Sequence, residues 1–90
     1  MKDQVIIITG AAMGLGLATG ELLAKEGAKL VLVDYNEDAL KEAEQKLKEI
    51  NPEVALLSVK ADVSSEEQVK NYVDKTVEKF GRIDGLYNNA

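Results

Sequence analysis

Short runs of apolar residues alternate along the chain with longer stretches in which apolar residues recur every three or four positions. Residues 5–8 (Val-Ile-Ile-Ile) are β-branched and apolar on both faces, which is typical of a strand buried on both sides of a parallel sheet. Further strands are predicted over residues 29–33, 54–59 and 83–87. The pattern therefore predicts strands and helices in alternation from one end to the other.

The first predicted helix spans about residues 15–26, and Gly27 follows it at the position of a left-handed C-cap. We expect its apolar face to pack on the sheet through Leu15, Ala18, Thr19, Leu22 and Leu23. The second helix begins near Asn36, a good N-cap, and ends before Pro52. Its buried stripe consists of Leu40, Ala43, Leu47 and Ile50.

The third helix opens with a capping box at residues 64–67 (Ser-Ser-Glu-Glu) and ends at Gly81. Its inner face consists of Val69, Tyr72, Val73, Thr76, Val77 and Phe80. Short right-handed crossovers between parallel strands place helices on both faces of one sheet, and the expected strand order is 3-2-1-4. Ligands of such α/β sheets bind beyond the carboxyl ends of the strands, where the strand order reverses.

The loop between the first strand and the first helix, Thr9-Gly10-Ala11-Ala12-Met13-Gly14-Leu15-Gly16, is rich in glycine. Glycine permits a positive φ and a close approach of a ligand to the main chain. The helix that follows begins with unpaired amides and the positive end of its dipole, so a pyrophosphate can bind there without a basic side chain. The spacing differs from both Gly-x-Gly-x-x-Gly and the P-loop pattern. A tight turn without a ligand is the alternative.

Two aspartates follow strands at the same edge of the predicted sheet. Asp34 ends the second strand about 20 residues beyond the glycine loop, where an acidic residue binds the adenosine ribose in NAD sites. Asp62 and Val63 follow the third strand. Either aspartate alone would also fit a solvated loop carboxylate or a helix cap. Together with the glycine loop they predict a dinucleotide site in a Rossmann-type α/β fold.

These segments resemble three motifs of the short-chain dehydrogenase/reductase family. Residues 9–16 resemble its Thr-Gly-x-x-x-Gly-x-Gly, Asp62-Val63 its adenine-contacting Asp-Val, and Asn88-Asn89-Ala90 its Asn-Asn-Ala-Gly cut one residue short. The motifs occur in the family's order, and the resemblance covers the whole chain. It implies that the chain is the N-terminal part of a larger protein with a doubly wound fold. That protein would transfer hydride between NAD(H) and an alcohol or carbonyl substrate.

The resemblance also implies which residues contact the cofactor. They are Gly10, Met13, Gly14, Leu15, Gly16, Asp34, Asp62, Val63, Asn88 and Ala90. The glycine segment would surround the pyrophosphate, Asp34 would bind the adenosine ribose, and Asp62 and Val63 would contact the adenine. Asn88 would stabilise the end of the fourth strand, and the backbone near Ala90 would pass the second ribose.

The charge of Asp34 favours NAD over NADP, because a 2′-phosphate beside a carboxylate costs on the order of several kcal/mol. Family members that use NADP often carry an arginine where this chain has Met13, Tyr35 or Asn36. The serine and the Tyr-x-x-x-Lys pair that the resemblance implies for proton transfer are absent from the sequence. We therefore expect no catalytic residues in residues 1–90, which form part of a nucleotide-binding domain and are expected to be inactive alone.

Composition narrows the remaining classes. Ninety residues permit one small domain, and a content of 46% hydrophobic and 30% charged residues is ordinary for a soluble protein. The lack of cysteine and histidine predicts no disulfide and no metal site. A net charge of −5 argues against nucleic acid or an anionic membrane as partner, and no segment is long enough to span a membrane. We expect a cytoplasmic location.

Two other functional classes stay open. A stand-alone nucleotide-binding module without catalysis would carry the same motifs, whereas a flavodoxin-like regulator or hydrolase would leave the glycine loop unexplained. An uncovered fourth strand would present free backbone groups, so we expect the chain to be a fragment of a longer parent. By the resemblance, that parent would bind a small-molecule substrate and form a homo-oligomer.

Overall fold

The computed structural model describes residues 2–89 and contains one parallel sheet flanked by helices. Its strands are β1 (Val5–Thr9), β2 (Lys29–Asp34), β3 (Leu56–Lys60) and β4 (Gly85–Asn88). Its helices are α1 (Gly14–Lys25), α2 (Glu37–Ile50) and α3 (Glu66–Phe80). The sheet order is β3-β2-β1-β4, so the predicted α/β architecture and the strand order 3-2-1-4 are confirmed.

Alternating side chains of the central strands divide the core into two layers. Ile6 and Ile8 of β1 face the layer that contains α1 and α2, whereas Val5 and Ile7 face the layer that contains α3. All five residues of β1 are buried, and because the strand is covered on both faces its first four residues are all apolar.

The strand register brings the loops at the carboxyl edge of the sheet to one level. Thr9, at the end of β1, pairs with Val33 of β2 on one side and with Asn88 of β4 on the other. Asp34, at the end of β2, pairs with Lys60 at the end of β3. The chain segments that follow all four strands therefore begin close together at this edge.

The buried face of α1 is only partly the predicted one, since Leu23 packs against the core as expected. Leu15 and Leu22 are 69% and 62% exposed, whereas Gly16, Gly20 and Ala24 are buried. Small residues let the helix lie close to the sheet, where its larger side chains are at most partly buried. Apolar periodicity selected the leucines, because it ranks residues by hydrophobicity and takes no account of the space available.

Other differences concern the ends of elements. β3 begins two residues later than predicted, and β4 is displaced toward the carboxyl end of the chain. The N-cap of α3 is Ser65, which accepts from the amide of Gln68, so the capping box predicted at residues 64–67 is wrong by one position. The Gln68 side chain accepts instead from the amide of Asp62. Val77, predicted to be buried, is 47% exposed.

The remaining helix ends follow the prediction. Asn36 caps α2 by accepting from the amide of Ala39, and Gly27 and Gly81 end their helices with φ of 82° and 77°.

β4 lies at the sheet edge, with Leu86 58% exposed. Among residues 2–89 no helix is sufficiently long and apolar to cross a membrane.

Candidate functional site

The three glycines between the end of β1 and the first turn of α1 meet two different structural requirements. Gly10 and Gly14 have φ of 63° and 61°, in the left-handed region that side chains other than glycine rarely adopt. Gly16 has no such requirement, but a Cβ added there would overlap the carbonyl group of Gly10, whose carbon would lie at 2.8 Å. The loop conformation and the start of α1 therefore both depend on glycine.

The first turn of α1 is open to an anion. Met13 is the N-cap, and its side chain makes no capping hydrogen bond. The first amides of a helix have no partner within the helix, and the dipole places positive potential at the same end. The first turn carries no acidic residue that would oppose an anion. This corner can therefore bind a phosphate group through the main chain.

A cavity of about 560 Å³ lies between the loops that follow β1, β2 and β3. Its volume is within the range of about 300–1,000 Å³ that is usual for small-molecule sites. It is lined by Gly10, Met13, Gly14, Leu15, Asp34, Tyr35, Ala61, Asp62, Val63 and Asn89. No lysine, arginine or histidine contributes to this lining, so the positive potential available to an anion comes from main-chain amides.

Asp34 is 7% exposed, and its carboxylate accepts hydrogen bonds from the glycine loop and from the loop that follows β2. Its Oδ2 accepts from the amide of Ala12 at 3.1 Å, and its Oδ1 accepts from the amide of Asn36 at 3.1 Å. The main-chain oxygen of Asp34 accepts from the amide of Ala61 at 3.0 Å. Because each carboxylate oxygen can accept a second hydrogen bond, Asp34 can still bind a hydroxyl group from the cavity.

Asp62 also lines the cavity, directly after Ala61, whose amide is bonded to Asp34. Its Oδ1 accepts from the Ser64 hydroxyl at 2.7 Å and from the Ser64 amide at 2.9 Å. The hydroxyl first, and the amide second, hold the pKa of Asp62 below its usual value of 3.8. The side chain is therefore ionised at neutral pH and acts there as an acceptor, never as a donor.

The ends of β1 and β4 are joined through the Thr9 side chain, which is 2% exposed. Its hydroxyl donates to Oδ1 of Asn88 at 2.9 Å and accepts from the amide of Asn89 at 3.1 Å. Asn88 lies at the end of β4 and Asn89 lines the cavity. These two hydrogen bonds fix the position of Asn89, which forms part of the cavity wall directly after β4.

The structure brings seven of the ten predicted cofactor residues to one cavity: Gly10, Met13, Gly14, Leu15, Asp34, Asp62 and Val63. Gly16 and Asn88 lie next to it without lining it, and Ala90 lies outside the described residues.

Sequence reasoning missed Tyr35, Ala61 and Asn89, which also line the cavity. Each is the immediate neighbour of a predicted residue, and that adjacency was the available signal. Tyr35 is 76% exposed and offers a flat aromatic surface beside Asp34. Within residues 2–89, no three acidic, cysteine or histidine side chains are grouped so that they could hold a metal ion.

Comparison with known proteins matches residues 4–90 to the family model described as short chain dehydrogenase. Levodione reductase of Leifsonia aquatica is 50% identical over 88 residues, which are 98% of this chain and 33% of that protein. A CLA biosynthesis dehydrogenase/reductase of Lactiplantibacillus plantarum is 48% identical over 89 residues, covering 99% of this chain and 30% of that protein. The chain thus spans about a third of the length of these relatives.

Solved structures agree with the sequence matches. The crystal structure of levodione reductase superposes with a TM-score of 0.98 at 49% identity, covering 100% of this chain and 35% of that one. NAD⁺-bound xylitol dehydrogenase gives 0.93 at 44% identity, covering 99% and 34%. L-Sorbose reductase from Gluconobacter frateurii, complexed with NADPH and L-sorbose, gives 0.94 at 43% identity, covering 100% and 34%. Both NAD⁺ and NADPH therefore occur among similar structures.

Proposed function

Because the chain belongs to the short-chain dehydrogenase/reductase family, we propose that residues 1–90 form the NAD-binding part of an oxidoreductase. The enzyme would transfer hydride between NAD(H) and an alcohol or carbonyl substrate. The observation that carries the proposal is the cavity at the carboxyl edge of the sheet, which joins the glycine loop, the N-terminus of α1 and two aspartates. In open α/β sheets, ligands bind beyond the carboxyl ends of the strands, where the strand order reverses. Here the order reverses at β1, because β2 and β4 lie on opposite sides of it.

The described residues fit a dinucleotide in charge and hydrogen-bonding capacity. The pyrophosphate would lie at the first turn of α1, which carries no acidic residue. The adenosine ribose would donate its hydroxyls to Asp34, and the adenine amino group would donate to Asp62, since both carboxylates line the cavity. Tyr35 would cover one face of the adenosine, because aromatic rings bind flat apolar surfaces of this kind.

The buried carboxylate of Asp34 supports NAD over NADP. The 2′-phosphate of NADP would have to approach a side chain that is 7% exposed, so water would screen the repulsion poorly. Like charges brought together in this way cost on the order of several kcal/mol. The residues that line the cavity include no lysine or arginine to offset that cost.

The bound cofactor would supply the hydride chemistry at its nicotinamide ring, while this chain would bind and orient the adenosine and pyrophosphate. No tyrosine of the chain is followed four positions later by lysine. We therefore expect the 90-residue chain to bind NAD without turning over a substrate. The stand-alone nucleotide-binding module remains the alternative, and the parent's sequence separates the two by the presence or absence of Tyr-x-x-x-Lys.

Isothermal titration calorimetry of the 90-residue chain with NAD and with NADP tests the proposal. We expect NAD to bind at least tenfold more tightly, and we expect Asp34→Asn to narrow that ratio because it removes the negative charge. Asp38→Asn is a matched control, because Asp38 lies on the first turn of α2 and does not line the cavity. A folded chain that binds neither dinucleotide would contradict the proposed function.

A further inference from the structure

Asp34 makes contacts that recognition of a ribose does not require. The loops that follow β1, β2 and β3 each donate an amide to this residue: Ala12 and Asn36 to its two carboxylate oxygens, and Ala61 to its main-chain oxygen. Ala12 and Asp34 are 22 positions apart in the chain. A single side chain thus connects the glycine loop to the start of the loop that leads into α2.

We propose that Asp34 is a positioning residue, which holds the glycine loop in its phosphate-binding conformation before any cofactor arrives. This inference rests on the proposed function, and it adds a second role to the residue. Asp34 would select NAD through its charge and would preorganise the pyrophosphate site through its bond to Ala12.

The burial of the loop explains why this bond matters. Ala11 and Ala12 are 0% and 6% exposed, so an amide that lost its partner there could not turn to bulk water. Leaving a buried donor without an acceptor is costly, so the backbone would move instead. The amide of Ala11 donates to the main-chain oxygen of Val33 at 3.2 Å, which makes Asp34 the second of two consecutive attachments to β2. Beyond them the loop becomes exposed at Met13.

The chemistry of the donors requires a carboxylate at this position. Two amide N–H groups point at two different oxygens of Asp34. Asparagine has one acceptor oxygen, and its NH₂ group would face one of the two donors without an acceptor between them. Asp34→Asn therefore changes almost no volume, yet it can keep only one of the two bonds. The bond to Asn36, two positions away, costs less chain entropy to keep than the bond to Ala12, 22 positions away, so we expect the bond to Ala12 to break.

Amide hydrogen exchange of the cofactor-free chain, followed by NMR, tests the positioning role without a ligand. In Asp34→Asn we expect the Ala12 amide to exchange at least tenfold faster than in the wild type. The Ala61 amide is an internal control, because its acceptor is the main-chain oxygen that the substitution leaves in place. Asp62→Asn is the matched variant: it removes the same charge from the same cavity, and it should leave exchange at Ala12 unchanged.

A ligand that cannot use the ribose contact separates the two roles of Asp34. The probe is an NAD analogue with hydrogen in place of both hydroxyls on the adenosine ribose. If Asp34 positions the loop, Asp34→Asn should bind this analogue at least fivefold more weakly than the wild type does. Loss of a negative charge would by itself favour an anionic ligand, so weaker binding reports the conformation of the loop.

A measurement on the wild type alone covers the case in which Asp34→Asn does not fold. The hydrogen bond should give a scalar coupling in NMR between the Ala12 nitrogen and the Asp34 carboxyl carbon. Absence of that coupling, or unchanged Ala12 exchange in a folded Asp34→Ala chain, which keeps neither acceptor oxygen, would overturn the positioning role. Neither result depends on NAD binding, so a failure of the proposed function is recognised separately by calorimetry of the wild type.

Discussion

Gly16 and Gly20 of α1 are both buried but have different surroundings. A Cβ at Gly16 would overlap the Gly10 carbonyl, which is main chain and cannot move aside without moving the loop. We expect Gly16→Ala to destabilise the chain by about 1–3 kcal/mol, as overpacking does elsewhere, and to weaken NAD binding. Urea denaturation would measure the first effect and calorimetry the second.

Gly20→Ala is the matched control for that substitution. A Cβ there would lie 3.6 Å from Ile8 and 3.7 Å from Leu47, which is ordinary contact with side chains. Because alanine in a helix interior is more stable than glycine by roughly 0.5–1 kcal/mol, Gly20→Ala should stabilise the chain. If Gly16→Ala and Gly20→Ala shift the urea midpoint equally, the close approach of the Gly10 carbonyl is not the reason why position 16 is glycine.

Local sequence predicted the residues of the site better than their bonds. The glycines, Asp34 and Asp62 were predicted because each carries its signal in a segment of a few residues. The bond between Asp34 and Ala12 joins positions 22 apart, so it follows only once β1 and β2 are adjacent. Tyr35 and Asn89 were missed for a related reason, since only the assembled loops show which neighbours face the cavity.

Helices were predicted to within a few residues where polar groups mark their ends, and their packing faces were predicted less well. α2 has caps at both ends and a strongly one-sided apolar pattern, and its stripe at Leu40, Ala43 and Leu47 is buried as predicted. The fully buried residues of α1 are glycine and alanine, whose small side chains carry little hydrophobic signal, and its leucines are at most partly buried. Steric fit to the sheet decides which face of α1 is buried, and that fit depends on the helix and the sheet together.

The N-cap of α2 provides a test of an element's contribution to stability. Asn36 accepts from the amide of Ala39 at 3.0 Å. Asn36→Ala removes this acceptor and should lower the free energy of unfolding by about 1 kcal/mol, which urea denaturation can measure. Asn36→Ser retains a capping oxygen and should stay close to the wild type. Equal losses in the two variants would show that another property of Asn36 is responsible.

Across the whole molecule, the first and last strands are joined at the amino edge of the sheet by Asp84. Its carboxylate accepts from the amide of Val5 at 2.7 Å, and its own amide donates to the Val5 oxygen at 2.8 Å. The Arg82 guanidinium also donates to this carboxylate. The two hydrogen bonds between Asp84 and Val5 connect residues 79 positions apart, so they hold β4 against β1 where no loop joins the two strands directly.

This junction should make the stability of the chain depend on pH in a defined direction. The Val5 amide first, and Arg82 second, hold the pKa of Asp84 below its usual value of 3.8. A carboxyl whose pKa is lower in the folded state contributes stability that is fully present above its unfolded value. That contribution is lost as the pH falls from about 4 through the folded pKa, because protonation ends the charge-assisted bonds. Urea midpoints measured from pH 7 down to pH 2.5 should therefore fall less steeply in Asp84→Asn than in the wild type. Parallel profiles for the two proteins would mean that the charge of Asp84 does not couple the two strands.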